Sequence, residues 1–236
     1  MKILAWIAGI GLTLAVLFLG LAFHSAGDSF SFAHQLVAQN PLKVEPGLRE
    51  WAWSGGDKLV TDAPATIEMT PGNPPAVIVH GDNDILRSLM FGDGKLVVRD
   101  PLRGKLKSKN ADMDMQGVDL KEIDVIGTGV VRLRHISKDK LTINVSGAGR
   151  LTADGHVGEL ILNVSGAGRA RLSDLKVDKV TLQLDGAGRA DISPVEAANI
   201  TIRGVGRAAL HSKPKSLTSN VSGYGRIVDS GDDDDD

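Results

Sequence analysis

Asn144-Val145-Ser146-Gly147-Ala148-Gly149-Arg150 returns as Asn163-Val164-Ser165-Gly166-Ala167-Gly168-Arg169 and again as Gln183-Leu184-Asp185-Gly186-Ala187-Gly188-Arg189. Looser copies follow at Arg203-Gly204-Val205-Gly206-Arg207 and Ser222-Gly223-Tyr224-Gly225-Arg226, and a degenerate one precedes them at Ile126-Gly127-Thr128-Gly129-Val130. The first glycines lie at 127, 147, 166, 186, 204 and 223, so the spacings are 20, 19, 20, 18 and 19. A period this steady marks a repeat architecture.

Apolar residues alternate on both sides of the phrase. Leu141, Ile143 and Val145 precede the first full copy, Leu160, Leu162 and Val164 the second, and Val180, Leu182 and Leu184 the third. After it come Leu151 and Ala153, Ala170 and Leu172, Ala190 and Ile192. Period two over about five residues is the strand signature. Each unit therefore reads as strand, Gly-x-Gly bend, strand and a short polar return such as Ser173 to Lys179. About 19 residues is too short for a helix pair and suits one coil of a parallel β-solenoid, with like positions stacked at about 4.8 Å. The predicted fold is all-β, a right-handed parallel β-helix, with the glycines at a corner that needs positive φ or close approach between rungs.

Working outward, the regular coils span 118–230. Residues 58–117 form an irregular N-terminal β cap and transitional coil, with strands expected at 65–69, 76–79 and 95–98 between turns at Pro71-Gly72-Asn73-Pro74 and Gly92-Asp93-Gly94. Residues 27–57 read as a juxtamembrane linker in which Trp51 and Trp53 would cover one end of the fold. Ile3 to Phe23 is free of charged side chains and, at 1.5 Å per residue, is long enough to span a bilayer as a helix. Residues 1–26 are thus a signal peptide or membrane anchor; Lys2 before the run predicts a cytoplasmic N-terminus and an exported remainder, in the periplasm or facing it. Residues 231–236, ending in Asp232 to Asp236, form an acidic tail expected to be disordered.

Composition narrows the function classes. A formal charge of −2 argues against a nucleic-acid binder, which is normally basic. The chain has no cysteine, hence no disulfide, thiolate zinc site or lipidated cysteine. Its six histidines are scattered, and the acids near His80 (Asp82, Asp84) fit no calcium-loop pattern, so no metal or other cofactor is expected. For catalysis on such a fold, carboxylates should meet on neighbouring rungs. Asp185 and Asp191 instead face Ser165 and Arg203, and Arg171 and Ala209, respectively. The glycine phrase lacks the third glycine of a dinucleotide loop.

Two columns remain as candidate sites. Arg150, Arg169, Arg189, Arg207 and Arg226 would line one edge, able to hold an anionic glycan, a phosphorylated lipid head group or an acidic envelope protein by bidentate contacts. Neutralisation by Asp154, Asp174, Asp191 and Asp229 is the competing structural role. Asn144, Asn163, Gln183, Thr201 and Asn220 would form a polar ladder, either bonding along the stack or meeting glycans. Several of these asparagines match the glycosylation acceptor pattern only because the repeat recurs.

The repeated [Asn/Gln]-[Val/Leu]-[Ser/Asp]-Gly-Ala-Gly-Arg phrase after an export segment resembles the bacterial family described as "putative auto-transporter adhesin, head GIN domain", over about residues 60–229. The resemblance implies an exported β-helical domain and supplies no catalytic residue to carry over. The expectation is a non-enzymatic envelope protein, membrane-tethered or secreted, acting as an adhesin-like binding or scaffold module. A carbohydrate-active β-helix enzyme and a structural module that assembles with its own copies are the alternatives.

Overall fold

The computed structural model describes residues 38–70, 72–99, 111–128 and 130–229. The expected apolar helix within 1–26, the acidic tail and the lysine-bearing stretch 101–110 lie outside the described residues. The described residues form one compact unit. Among the described residues no helix is long and apolar enough to cross a membrane.

The repeat builds a β-solenoid. Four long strands, β10 (Val130–Gly147), β11 (Arg150–Gly166), β12 (Arg169–Gly186) and β13 (Arg189–Gly204), each make almost a full coil. They stack in parallel, with Gly147 on Gly166, Gly166 on Gly186 and Gly186 on Gly204. The last coil is split into β14 (Arg207–Leu210) and β15 (Ser216–Gly223), followed by β16 (Arg226–Asp229).

The polar return expected at Ser173 to Lys179 is itself strand. Lys176 and Val177 pair with His156 and Val157 of the preceding coil, and the ladder slips only around Ser173 and Asp174. Leu175 and Val177 are fully buried. The polar composition concealed this segment because only one or two buried residues per coil mark it.

In β12 burial alternates in three runs, broken where two residues in succession are not buried, at Ser173-Asp174 and Asp178-Lys179. The coil is thus three-sided. Ala170 and Leu172 face inward on the side after Gly-x-Gly, Leu175 and Val177 on the short side, and Val180, Leu182 and Leu184 on the third. Stacked copies of these residues form one continuous core.

Both glycines of the phrase are forced, for different reasons. Gly186 has φ +110°, and a Cβ there would come 2.7 Å from the Gly166 carbonyl oxygen one rung away. Gly188 has no such angle, but its Cβ would meet Val164 Cγ1 at 2.9 Å. Between them, Ala187 N–H donates to Gly166 O at 2.8 Å, and Arg189 N–H to Gly168 O at 2.9 Å. The corner donors are consumed by the ladder, so this is a corner and not a phosphate cradle.

The N-terminal end is less regular and not stacked in chain order. β3 (Lys58–Thr61) and β4 (Ala65–Thr70) make one rung, β7 (Lys95–Val98) and β8 (Ala111–Gln116) another, and β9 (Glu122–Val125) leads into β10. β3 pairs with both β7 and β9, and β4 with both β8 and β10. The β3–β4 rung is therefore clamped between two rungs that come later in sequence.

Beyond it the sheet turns antiparallel: β5 (Ala76–His80) on β8, β2 (Leu48–Ala52) on β5, β1 (Lys43–Glu45) on β2, and β6 (Leu89–Gly92) on β7. A short helix, α1 (Asn83–Ser88), buries Ile85 and Leu86. Residues 43–52, assigned by sequence to the linker, thus belong to the sheet. Trp51 is buried against Phe91, with ring centroids 5.9 Å apart, and Trp53 packs on the same ring at 5.8 Å.

Candidate functional site

The solenoid brings the five repeat arginines together. Arg150, Arg169, Arg189, Arg207 and Arg226 are consecutive register partners, each one rung, about 4.8 Å, from the next. Because Ala170, Ala190 and Ala208 point inward, the arginines before them point outward.

Register exposes a second arginine position that the repeat conceals. Two residues further along the strand, the outward slot holds Arg132, Thr152, Arg171, Asp191, Ala209 and Val228 in successive coils. Only two of the six are arginine, so periodicity alone does not flag them. Arg132 and Arg171 join the column and widen it into a face.

Its neutralisation is partial. Arg189 Nε donates to Asp191 Oδ1 at 3.1 Å, and Asp191, only 7% exposed, lies in the face between Arg171 and Ala209. Among the described residues, Arg132, Arg150, Arg169, Arg171 and Arg226 have no carboxylate partner. Asp154, an expected neutraliser, instead accepts from the backbone N–H of His135 at 2.9 Å. Toward the N-terminus the same side becomes acidic. Glu68, Asp112 and Asp114 line a shallow groove of about 340 Å³ with Thr66, His80 and Arg134.

The polar ladder also stacks in register: Asn144, Asn163, Gln183, Thr201 and Asn220. Asn163 Nδ2 donates to Asn144 Oδ1 at 2.8 Å, and Asn144 Nδ2 donates to Asp124 at 2.7 Å and Glu122 at 3.0 Å. Lys58 closes the chain with ion pairs of 2.8 Å to both acids. Burial acts to lower the Lys58 pKa, but its hydrogen bonds to Asp124 and Glu122 outweigh that and raise it. Further along, Gln183 turns to Asp185 (2.7 Å), which also accepts from Arg203 (3.2 Å). The Gln183 bond, foremost, holds the Asp185 carboxyl below its ordinary pKa. The amide side satisfies itself over its first rungs; the arginine side does not.

The register agrees with the sequence expectation for the two carboxylates flanking Arg189. Asp185 sits between Ser165 and Arg203, and Asp191 between Arg171 and Ala209. Among the described residues no three histidine or acidic side chains converge as a metal site would require.

The fold is similar to that of a "putative adhesin" from Bacteroides fragilis NCTC 9343, with TM-score 0.59 at 17% identity over 77% of this chain and 95% of that one. A "putative lipid binding protein" from Parabacteroides distasonis ATCC 8503 aligns with TM-score 0.44 and 16% identity over 78% and 96% of the two chains. A "putative adhesin" from Parabacteroides merdae ATCC 43184 aligns with TM-score 0.40 and 14% identity over 77% and 95%. No curated protein matches in sequence. The family model described as "Putative auto-transporter adhesin, head GIN domain" matches residues 57–232, the cap and every copy of the glycine phrase, and the chain belongs to that family.

Proposed function

We propose that the protein is an exported, non-enzymatic binding module of the cell envelope whose arginine face takes an anionic polymer, with an acidic glycan as the favoured class. One observation carries this reading. Seven arginines, Arg132, Arg150, Arg169, Arg171, Arg189, Arg207 and Arg226, share one side of the solenoid with Asp191 as the carboxylate set among them.

Like charges at rung spacing oppose folding, since directly opposed like charges on a sheet are destabilising. A row of guanidinium groups is matched best by a ligand that carries repeated carboxylate, sulfate or phosphate groups, each met by bidentate bonds. An extended polymer fits a flat row better than a small molecule does. The charge-free run Ile3 to Phe23 and the adhesin naming of the family support an exported, membrane-tethered or secreted position.

The test is binding of the protein to acidic and neutral glycans, anionic vesicles and polyphosphate at low and high salt. Replacing Arg150, Arg169 and Arg171 by Ala removes three arginines that make no ion pair among the described residues. Charged hydrogen bonds contribute about 1.5–3 kcal/mol each, so affinity should fall by roughly a thousand-fold or more. Salt-independent binding, or affinity unchanged in the triple variant, would remove the arginine face from the function. Preference for vesicles over glycans would reassign the ligand to a lipid head group.

A further inference from the structure

The two ends of the solenoid are finished differently. At the N-terminal end the outermost strand, β1, is three residues long and carries Lys43 and Glu45, which pair at 3.0 Å. Short, charged edges discourage further strand addition. At the C-terminal end, β15 runs for eight residues, Ser-Leu-Thr-Ser-Asn-Val-Ser-Gly, without a charge or a proline. It pairs with β13 on one edge, and among the described residues nothing pairs with the other.

Its core side is uncovered as well. Leu217, Ser219 and Val221 continue the inward columns of Ala198, Ile200 and Ile202. Yet Leu217 is 48% exposed and Val221 41%, where their counterparts one rung earlier are buried. Ser230 to Asp236, which follow β16, contain only Ser, Gly and Asp, so they offer no apolar side chain to cover this end.

We infer that this edge pairs with the same edge of a second copy, antiparallel and tail to tail about a two-fold axis at Ser219. The strand is complementary to itself in that register. Leu217 faces Val221 of the other copy, Val221 faces Leu217, Ser219 faces Ser219, and Thr218 faces Asn220. Directly opposed residues of an antiparallel pair point to the same side of the sheet. The apolar columns therefore run from one solenoid into the next, and the polar ladder runs on outside them. Moving the axis by half a residue would place core-side residues opposite outer ones and the two cores on opposite sides of the sheet. Moving it by a whole residue would set Leu217 against Gly223. A two-fold contact of this kind closes at two copies, because it consumes the same edge on both.

The absence of native cysteine makes the register testable. In the full chain in mild detergent, Ser219→Cys should form an interchain disulfide on gentle oxidation, since opposed residues lie within cross-linking reach. Ser222→Cys should not, because two copies of residue 222 would stand about 20 Å apart at about 3.4 Å per residue. This pair of variants separates the strand contact from any association through the apolar N-terminal segment. Val221→Lys, at a surface position, should abolish the Ser219→Cys cross-link while leaving the far-ultraviolet strand spectrum unchanged; Leu217→Lys should repeat that result. Equal cross-linking at 219 and 222, no cross-link at 219, or an open-ended oligomer ladder would overturn the proposal. Replacing Arg150, Arg169 and Arg171 should leave the cross-link intact, so this contact and the arginine reading fail separately.

Discussion

The side that follows the Gly-x-Gly corner and the side that precedes it are built on opposite terms. The amide side puts three apolar residues per coil into the core, such as Val180, Leu182 and Leu184, and joins its first outward groups by hydrogen bonds from Lys58 to Asn163. The arginine side puts in two, one of which is Ala in several coils (Ala170, Ala190, Ala208), and faces outward with guanidinium groups that largely lack partners. One side holds the solenoid together; the other is tolerated by it. Ligand-facing surfaces are expected where local stability has been given up.

The largest effect should come at the corner that both sides share. Gly186→Val forces a branched side chain into positive φ and against the Gly166 carbonyl, which should destabilise by about 3 kcal/mol or more. Thermal unfolding followed by circular dichroism would show it. Next comes the asymmetry itself. Leu182→Ala, behind the amide side, should cost about 2–5 kcal/mol. Ala190→Gly, behind the arginine side, should cost only about 1 kcal/mol, mainly through backbone entropy. Equal losses in urea melts would break the comparison.

A smaller effect is expected for Asn163→Ala, which deletes one ladder bond and should cost about 1 kcal/mol. The Arg169→Gln change should be neutral or stabilising by a few tenths of a kcal/mol, as it relieves repulsion from Arg150 and Arg189 one rung away. Loss of stability there would mean that the arginines are structural.

The smallest effect is a pH dependence on the amide side. The depressed pKa of Asp185 means its contribution is present above the unfolded value near 3.9 and is lost as pH falls through the folded value. The raised pKa of Lys58 works in the other direction. Its contribution is full below the unfolded value near 10.4 and is lost as pH rises through the folded one. Asp185→Asn should flatten the acid limb of a stability–pH curve, and Lys58→Met the alkaline limb.

Much of this was legible in the sequence, because a repeat writes each structural demand several times. The glycine positions, the inward columns Leu141/Leu160/Val180 and the arginine column all follow from one period. What resisted reading occurs once or irregularly. Arg132 and Arg171 share an outward slot with Thr152, Asp191, Ala209 and Val228, so only the register links them. The segment around Lys176 carries too few inward residues to announce a strand. Lys58 anchors the ladder across 64 residues of sequence from Glu122, a distance that no local pattern reports.

The clamped β3–β4 rung has a consequence for the order in which the chain can organise. Every coil after β10 needs only its predecessor, so those coils can be added one after another, as in a nearest-neighbour zipper. β3 and β4, although early in sequence, gain both partners only when β7, β8, β9 and the start of β10 have arrived. Loop closure over such spans is slow. The early part of the chain therefore completes its pairing only once the middle has been made. A chain shortened from its C-terminal end loses coils one at a time, whereas one that stops before Val125 has no finished solenoid to extend.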